Sequence, residues 1–407
     1  KGRIIEKQQG EELYTCYGYD ESGRIEKLEH WENEELLDAF TYCYDAAGNL
    51  LKETKKRRGM EGENGTYDYA YDALGRLMEV RKDGKELRHY TYDAYGNRTR
   101  KLEYQKSQQP EETLYAYNRA GQLIHEKTGE QTRTYGYDKR GNLREITENG
   151  NLLKSYRYGA INRLEEAEDE TGRRVQYVYD GLGERRERKS QSGTLLYFHD
   201  YTKRTANLLA IRRNGTDQSF YWDGDITLTR EGETWKQYLT DHLGSPIRVV
   251  GGTEMETYGY DEFGNNLYPQ KSVCQSIGFT GYLSDEEAGT SYAKAREYLP
   301  QIGRFAAEDV YGGSIAVPYS QNRYSYCYNN PLVLVDGDGR KPTWKSIQEE
   351  LDELGDKAKK GVSNVIRGFE ENFWRKYVVG EDIILDRKKW YGNEYMLTGH
   401  TGGDIFI

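Results

Sequence analysis

His242 is the first side chain to suggest catalysis, because histidine changes charge near neutral pH and can exchange protons with a neighbouring nucleophile. No serine, aspartate or cysteine stands at a recognisable catalytic spacing from it, so a hydrogen-bonded structural role is expected. His400 is the one histidine after residue 340, and with Asp404 it could belong to an effector site or to a glycine-rich turn. The cysteines at 16, 43, 274 and 327 lack the paired spacing of zinc ligands or of a dense disulfide framework. Cys16 and Cys43 fall on adjacent repeats but at different offsets, so a bridge between them is the lesser expectation. No metal-ligand, nucleotide-binding or HNH spacing appears, and no metal or cofactor is expected. Acid–base work is left to carboxylates, whose meaning depends on the elements that hold them.

Those elements are announced by a phrase that occurs eight times, seven times as Tyr-x-Tyr-Asp-x-x-Gly and once with Asn118 for Asp, as in Tyr17/Tyr19-Asp20/Gly23, Tyr69/Tyr71-Asp72/Gly75 and Tyr135/Tyr137-Asp138/Gly141. A period of roughly 20 to 27 residues signals a repeat architecture. Tyrosines at i and i+2 lie on one face of an extended strand, where rings stack on neighbouring strands and hydroxyls reach water or a backbone partner. Asp, two variable residues and Gly supply a turn: the carboxylate accepts backbone N–H groups and Gly tolerates positive φ. The return strand opens with Arg or Asn and an apolar residue, as in Gly75-Arg76-Leu77 and Gly141-Asn142-Leu143. Each unit is then a β-hairpin that must stack on the next. A repeated tyrosine is more often packing than binding, so the repeats build a scaffold rather than catalyse.

Composition agrees with a polar sheet carrying large aromatic rungs: 38 tyrosines and 7 prolines in 407 residues. Residues 1–340 hold 47 basic against 56 acidic side chains and residues 341–407 hold 11 against 12. Neither part has the basic excess of a nucleic-acid footprint, and no apolar run approaches the ~20 residues that cross a bilayer. The first residue is Lys inside a repeat, so the chain reads as the C-terminal portion of a longer protein, with any export signal upstream.

Between residues 184 and 257 the repeat loosens, yet strand-like alternation survives in Leu195–Phe198 and Ser219–Asp223, and the sheet is expected to continue with altered turns. From about Ile277 the texture changes. Gly278-Phe279-Thr280-Gly281-Tyr282, Tyr292-Ala293-Lys294-Ala295-Arg296-Glu297-Tyr298, Gly303-Arg304-Phe305, Glu308-Asp309, Asn322-Arg323-Tyr324-Ser325-Tyr326, Asn329-Asn330-Pro331 and Val335-Asp336-Gly337-Asp338-Gly339-Arg340 follow in order. With the repeats, these phrases resemble the YD-repeat (Rhs) family, and residues 278–340 resemble its core-associated module. The family includes insecticidal toxin-complex C components, bacterial polymorphic toxins, wall-associated proteins and teneurins.

The resemblance implies a mainly β fold: a spiralling antiparallel sheet of hairpins forming part of a hollow shell over 1–277, the module over 278–340, and a variable effector over 341–407. It also implies an aspartyl autoprotease. Matched phrase by phrase, the family's two aspartates fall on Asp309 and Asp336, the second placed by Asn329-Asn330-Pro331, and the cut follows Gly339-Arg340, between Arg340 and Lys341. Two carboxylates brought close cannot both ionise, so one could polarise a peptide carbonyl while its partner takes a proton from water. A tethered substrate supplies a high effective concentration, and a single turnover tolerates a slow rate. Arg304 either holds the charged carboxylate or forms a plain salt bridge. Val310 and Gly337 stand where the family has proline, Arg340 replaces the usual leucine, and Asp338 adds a third carboxylate. A structural pair of aspartates in turns is therefore the alternative to self-cleavage.

Beyond Arg340 the pattern turns helical: Ser346 and Glu349 form a capping box, and Trp344, Ile347, Leu351, Leu354 and Ala358 begin an amphipathic helix expected over about 344–376. The expected whole is a secreted or cell-surface bacterial toxin-delivery protein carrying its own tail as cargo. Its other expected partners are an upstream shell portion, a target-cell surface and an immunity protein. The competing expectation is a cell-surface adhesion or glycan-binding repeat protein with an inactive aspartate pair.

Overall fold

The computed structural model describes residues 3–104, 109–202, 207–251, 255–268, 277–313 and 318–345. The chain divides into Lys1–Glu353 and Leu354–Ile407, and every described residue belongs to the first unit. All but the first two residues of the helix expected over about 344–376, and His400 with Asp404, lie outside the described residues.

Residues 6–257 form one 24-stranded sheet in which each strand pairs antiparallel with the next in sequence, from Glu6–Gln9 to Glu256–Thr257. The loosened stretch continues it without a break through Gly193–Asp200, Asn207–Arg213, Thr216–Asp223, Asp225–Glu231, Thr234–Thr240 and Pro246–Val250. Cys16 and Cys43 stand on Leu13–Tyr19 and Glu35–Tyr44 with Ile25–Glu32 between them, and both are free thiols.

The turn chemistry is the same from unit to unit. At Asp72 the backbone N–H of Leu74 and of Arg76 donate to Oδ1 at 2.9 and 3.0 Å, Arg76 Nε donates to Oδ2 at 2.6 Å, and Gly75 N donates to the Asp72 carbonyl at 3.0 Å. Gly75 closes this loop at φ +76°, a backbone state that costs other residues about 1 kcal/mol or more. Just before each such turn the ladder register slips, between Ala70 and Tyr71 and again between Thr91 and Tyr92. This bulge lets the second tyrosine of each phrase aim its hydroxyl at the preceding hairpin. Tyr71 donates to the Leu50 carbonyl, Tyr92 to Leu77 and Tyr179 to Leu164, each at 2.8 Å. The first tyrosine, such as Tyr42 or Tyr90, is buried outright. The repeated phrase thus encodes a turn, a bulge and a stitch to its neighbour.

The two ends of this ribbon meet. Lys7 pairs with Asp223 at 2.9 Å, Gln9 Nε2 donates to the Thr227 carbonyl at 3.2 Å, and Gln237 Nε2 donates to the Gln9 carbonyl at 3.1 Å. Arg248 grips Asp38 at 2.6 and 3.0 Å, while Arg57 donates to the carbonyls of Ile247 and Tyr258 at 2.8 and 2.9 Å. Side chains rather than strand pairing make this seam, and its arginines and Asp38 are buried.

Against the tyrosine-bearing face lies the segment 277–345. It contributes a four-stranded sheet, Leu283–Asp285, Thr290–Ala293, Arg296–Leu299 and Arg304–Phe305, and a short pair, Leu334–Val335 with Thr343–Trp344. Phe279, Tyr282, Tyr298, Phe305 and Tyr326 join Phe40, Tyr42, Leu50, Tyr69 and Tyr90 in one core cluster. Trp344, assigned to a helix by its spacing, is in the strand pair instead: Leu334 stands opposite it, and a partner strand with an apolar floor outweighs three-and-four periodicity at the helix's first residue.

Candidate functional site

The module's motif residues dock it on the turns of the shell. Asn330 Nδ2 donates to Asn49 Oδ1 at 2.8 Å, Asn329 Nδ2 to the Gly96 carbonyl at 2.9 Å, and Tyr324 OH to the Gly141 carbonyl at 2.8 Å. Asn329 holds φ +62° and Pro331 follows Asn330, whose N–H donates to the Cys327 carbonyl at 2.8 Å; this tight turn sends the chain into Leu334–Val335 and on to Asp336. His242 contacts the Leu332 carbonyl at 2.9 Å through Nε2 and lies 4.4 Å from the Tyr42 ring, a docking contact rather than a catalytic group.

Arg304, expected beside a carboxylate, serves the same docking. Its Nη1 donates to Asn97 Oδ1 at 3.2 Å and its Nη2 to the Gly121 carbonyl at 2.5 Å, and its guanidinium lies over the rings of Tyr117 and Tyr324. The arginine between the two aspartates is Arg296. Its Nη2 is 2.9 Å from Asp309 Oδ2 and 3.3 Å from Asp336 Oδ2, so the carboxylates 27 residues apart in sequence converge on one nitrogen. The other donors are engaged too, Nε with the Gly339 carbonyl at 2.5 Å and Nη1 with the Arg323 carbonyl at 2.9 Å. The guanidinium lies 3.6 Å from the Phe305 ring centroid. Arg296 sits in the Tyr-Ala-Lys-Ala-Arg-Glu-Tyr phrase, and its only sequence signal was an arginine on a strand otherwise made of large buried residues.

Asp336 is 1 % exposed and Asp309 9 %. Burial is the largest influence on Asp336 and pushes it up to about 7; the charges of Asp338 and Asp309 raise it as well, against Arg296 and the Arg340 N–H. Burial also raises Asp309, with Arg296 opposing and the Tyr311 N–H donating to its Oδ1 at 2.8 Å. Two carboxyls, both raised by burial, thus flank one cation, Arg296.

The chain leading to the expected cut folds back on Asp336. Arg340 N donates to Asp336 Oδ1 at 2.9 Å and to Asp338 Oδ1 at 3.1 Å, and Gly339 N to the Asp336 carbonyl at 3.3 Å. This is the repeat turn again, Asp-x-x-Gly-Arg, with one exchange: the Oδ2 position held by the residue after Gly at Asp20, Asp72 and Asp138 is held by Arg296, which also holds Asp309. Burial, rather than Arg296, sets Asp336 apart from the less buried turns, as it also raises the repeat-turn carboxyls of Asp241 and Asp261. At Asp20 the turn's hydrogen bonds from Arg24 outweigh burial and lower the carboxyl below its usual range. At Asp336 burial and two further carboxylates win. Gly339, at φ +69°, is pressed so close to the Ala293 carbonyl that a Cβ would lie 2.2 Å from it, which fixes the turn's place beside the strand carrying Arg296. Arg340 and Lys341 are exposed.

A ribbon of bulged Tyr-Asp hairpins whose ends meet along a side-chain seam and whose tyrosine-bearing face is covered by a core-filling module is the architecture of a YD-shell. The family model for the teneurin YD-shell matches residues 39–332, and the chain belongs to that family. It is 27 % identical over 76 % of its length to a tRNA3(Ser)-specific nuclease WapA of Bacillus spizizenii, spanning 11 % of that protein. It is 26 % identical over 73 % of its length to toxin protein Tse5 of Pseudomonas aeruginosa and over 77 % to human teneurin-4, spanning 26 % and 11 % of those proteins. Among solved structures, the toxin-complex assembly TcdB2-TccC3-Cdc42 aligns with TM-score 0.42 at 17 % identity, covering 81 % of this chain and 20 % of the other.

Proposed function

We propose that the chain is the C-terminal part of a secreted toxin-delivery shell that hydrolyses its own Arg340–Lys341 bond once, separating residues 341–407 as cargo. The observation that carries this reading is the meeting of Asp309 and Asp336 on Arg296 next to a turn that leads directly into that bond. Asp336, the more deeply buried, keeps its proton and donates it to the carbonyl oxygen of Arg340. Asp309, nearer solvent, takes a proton from water, whose oxygen bonds to the carbonyl carbon. As the C–N bond breaks, Asp309 passes that proton to the departing nitrogen and one hydroxyl of the diol so formed returns a proton to Asp336, leaving an amine on Lys341 and an acid on Arg340 that ionises to a carboxylate. Arg296 keeps the two carboxyls together and holds the Gly339 carbonyl, fixing the approach of the chain. The toxin and nuclease names of the relatives support the delivery role.

A second reading is favoured by one observation: the Asp336 turn repeats turns that are purely architectural elsewhere in the sheet, as in an adhesion protein with an inactive pair. Intact mass separates the two. Self-cleavage predicts pieces ending at 340 and starting at 341, with Asp309→Asn and Asp336→Asn both left whole; cutting that persists in both variants rejects the site.

A further inference from the structure

Thr343, Trp344 and Lys345, which follow the proposed cut by three to five residues, are bound to the module and the shell by contacts that the cut does not touch. Thr343 and Trp344 pair as a strand with Val335 and Leu334. The Trp344 indole packs against the main core cluster and rests on the turn glycine Gly48, where an added Cβ would stand 3.0 Å from the ring. Lys345 Nζ forms an ion pair with Asp225, both side chains being mostly buried.

Their placement gives this segment a second property. Gly48 closes the turn between Glu35–Tyr44 and Leu50–Arg57, near the start of the ribbon, whereas Asp225 follows Thr216–Asp223, near its end. These are the two ends that meet along the seam built by Lys7, Gln9, Arg57 and Arg248. Adjacent side chains, Trp344 and Lys345, therefore reach to opposite sides of that seam.

We propose that the seam is a binding site for the peptide segment Thr343–Lys345, an anchor that keeps the severed 341–407 piece docked and makes its departure require withdrawal of a clip from the joint. Strand pairing supplies backbone hydrogen bonds, the indole supplies apolar burial, and the Lys345–Asp225 pair fixes the register. Cutting at 340 frees one covalent link while these contacts remain. The biological moment of the anchor rests on the cleavage proposed above; its test does not.

The test uses the full chain with a recognition sequence for a site-specific protease inserted between the exposed Arg340 and Lys341, cut in native buffer and followed by size exclusion. The 341–407 piece is expected to elute with the shell. With Trp344→Ala or Asp225→Asn it is expected to escape at least tenfold faster, with the elution of the shell unchanged. If Trp344→Ala does not fold, Asp225→Asn decides, since Asp225 is the first residue of the strand Asp225–Glu231 and lies outside the core clusters. Equal escape, or equal retention, in the wild-type chain and the folded variants overturns the anchor. A chain that never cuts itself but retains the externally cut piece sinks the autoprotease alone, and self-cut pieces that part freely sink the anchor alone.

Discussion

Replacing Arg188 with methionine should detach the module from the shell energetically, with a cost that depends on pH. Arg188, on the shell strand Arg185–Ser190, meets Asp285 of the module through Nε–Oδ2 at 2.8 Å and Nη2–Oδ1 at 3.1 Å, and Tyr177 OH donates to the same Oδ2 at 2.5 Å. Asp285 is 1 % exposed. Burial alone would raise its pKa, but the hydrogen bonds and charge of Arg188, the charge of Arg185 and the Tyr177 hydroxyl hold it below its usual value. Removing one partner of a buried pair costs about 3–5 kcal/mol, against a total stability of about 5–15 kcal/mol for a typical domain. The sign with pH follows from the two folded states. In the parent, Asp285 contributes stability that is present above the unfolded carboxyl pKa near 4 and lost below it. In Arg188→Met burial prevails and the folded pKa rises above that of the unfolded chain, so stability falls as pH climbs from about 4. The deficit relative to the parent is therefore largest at pH 8 and smallest near pH 4.5. Urea unfolding followed by intrinsic fluorescence at those two pH values measures it. A cost under about 1 kcal/mol at pH 8, or the same cost at both values, refutes the view that a desolvated ion pair fastens the module.

The remaining predictions concern the cut and the repeat. Arg296→Lys, which can hold one carboxylate but not two carboxylates and two carbonyls, should slow self-cleavage about tenfold or more, while Arg304→Lys leaves it within about threefold; intact-mass time courses of freshly synthesised chain compare them. Because Asp336 titrates at about 7, the cleavage rate should be level below that pH and fall about tenfold per unit above it, lost again in acid only once Asp309 protonates; a rate that rises from pH 7 to 8.5 contradicts the assigned proton. Tyr71→Phe removes the 2.8 Å stitch to the Leu50 carbonyl and should cost about 1 kcal/mol in denaturant unfolding, with the strand signal in circular dichroism unchanged.

Local order was legible from one sequence because the repeat is local. Tyr-x-Tyr-Asp-x-x-Gly specifies a strand, a bulge and a turn within seven residues, and Asp72 with Leu74, Gly75 and Arg76 needs nothing distant to form its hydrogen bonds. The continuation of the sheet through Gly193–Val250 followed from the same alternation, and the convergence of Asp309 with Asp336 followed from family phrases. Tertiary structure alone decided which arginine joins them. Arg304 and Arg296 look equivalent in sequence, but Arg304 lies over Tyr117 and reaches Gly121, whereas Arg296 lies over Phe305 and faces inward to both carboxyls. The seam and the strand role of Trp344 were hidden for the same reason: Arg248 with Asp38, and Trp344 with Gly48, are pairs brought together by the curvature of some twenty strands. Short-range hydrogen bonding is written in adjacent residues; the burial that pushes Asp336 up to about 7 exists only once distant parts of the chain have excluded water together.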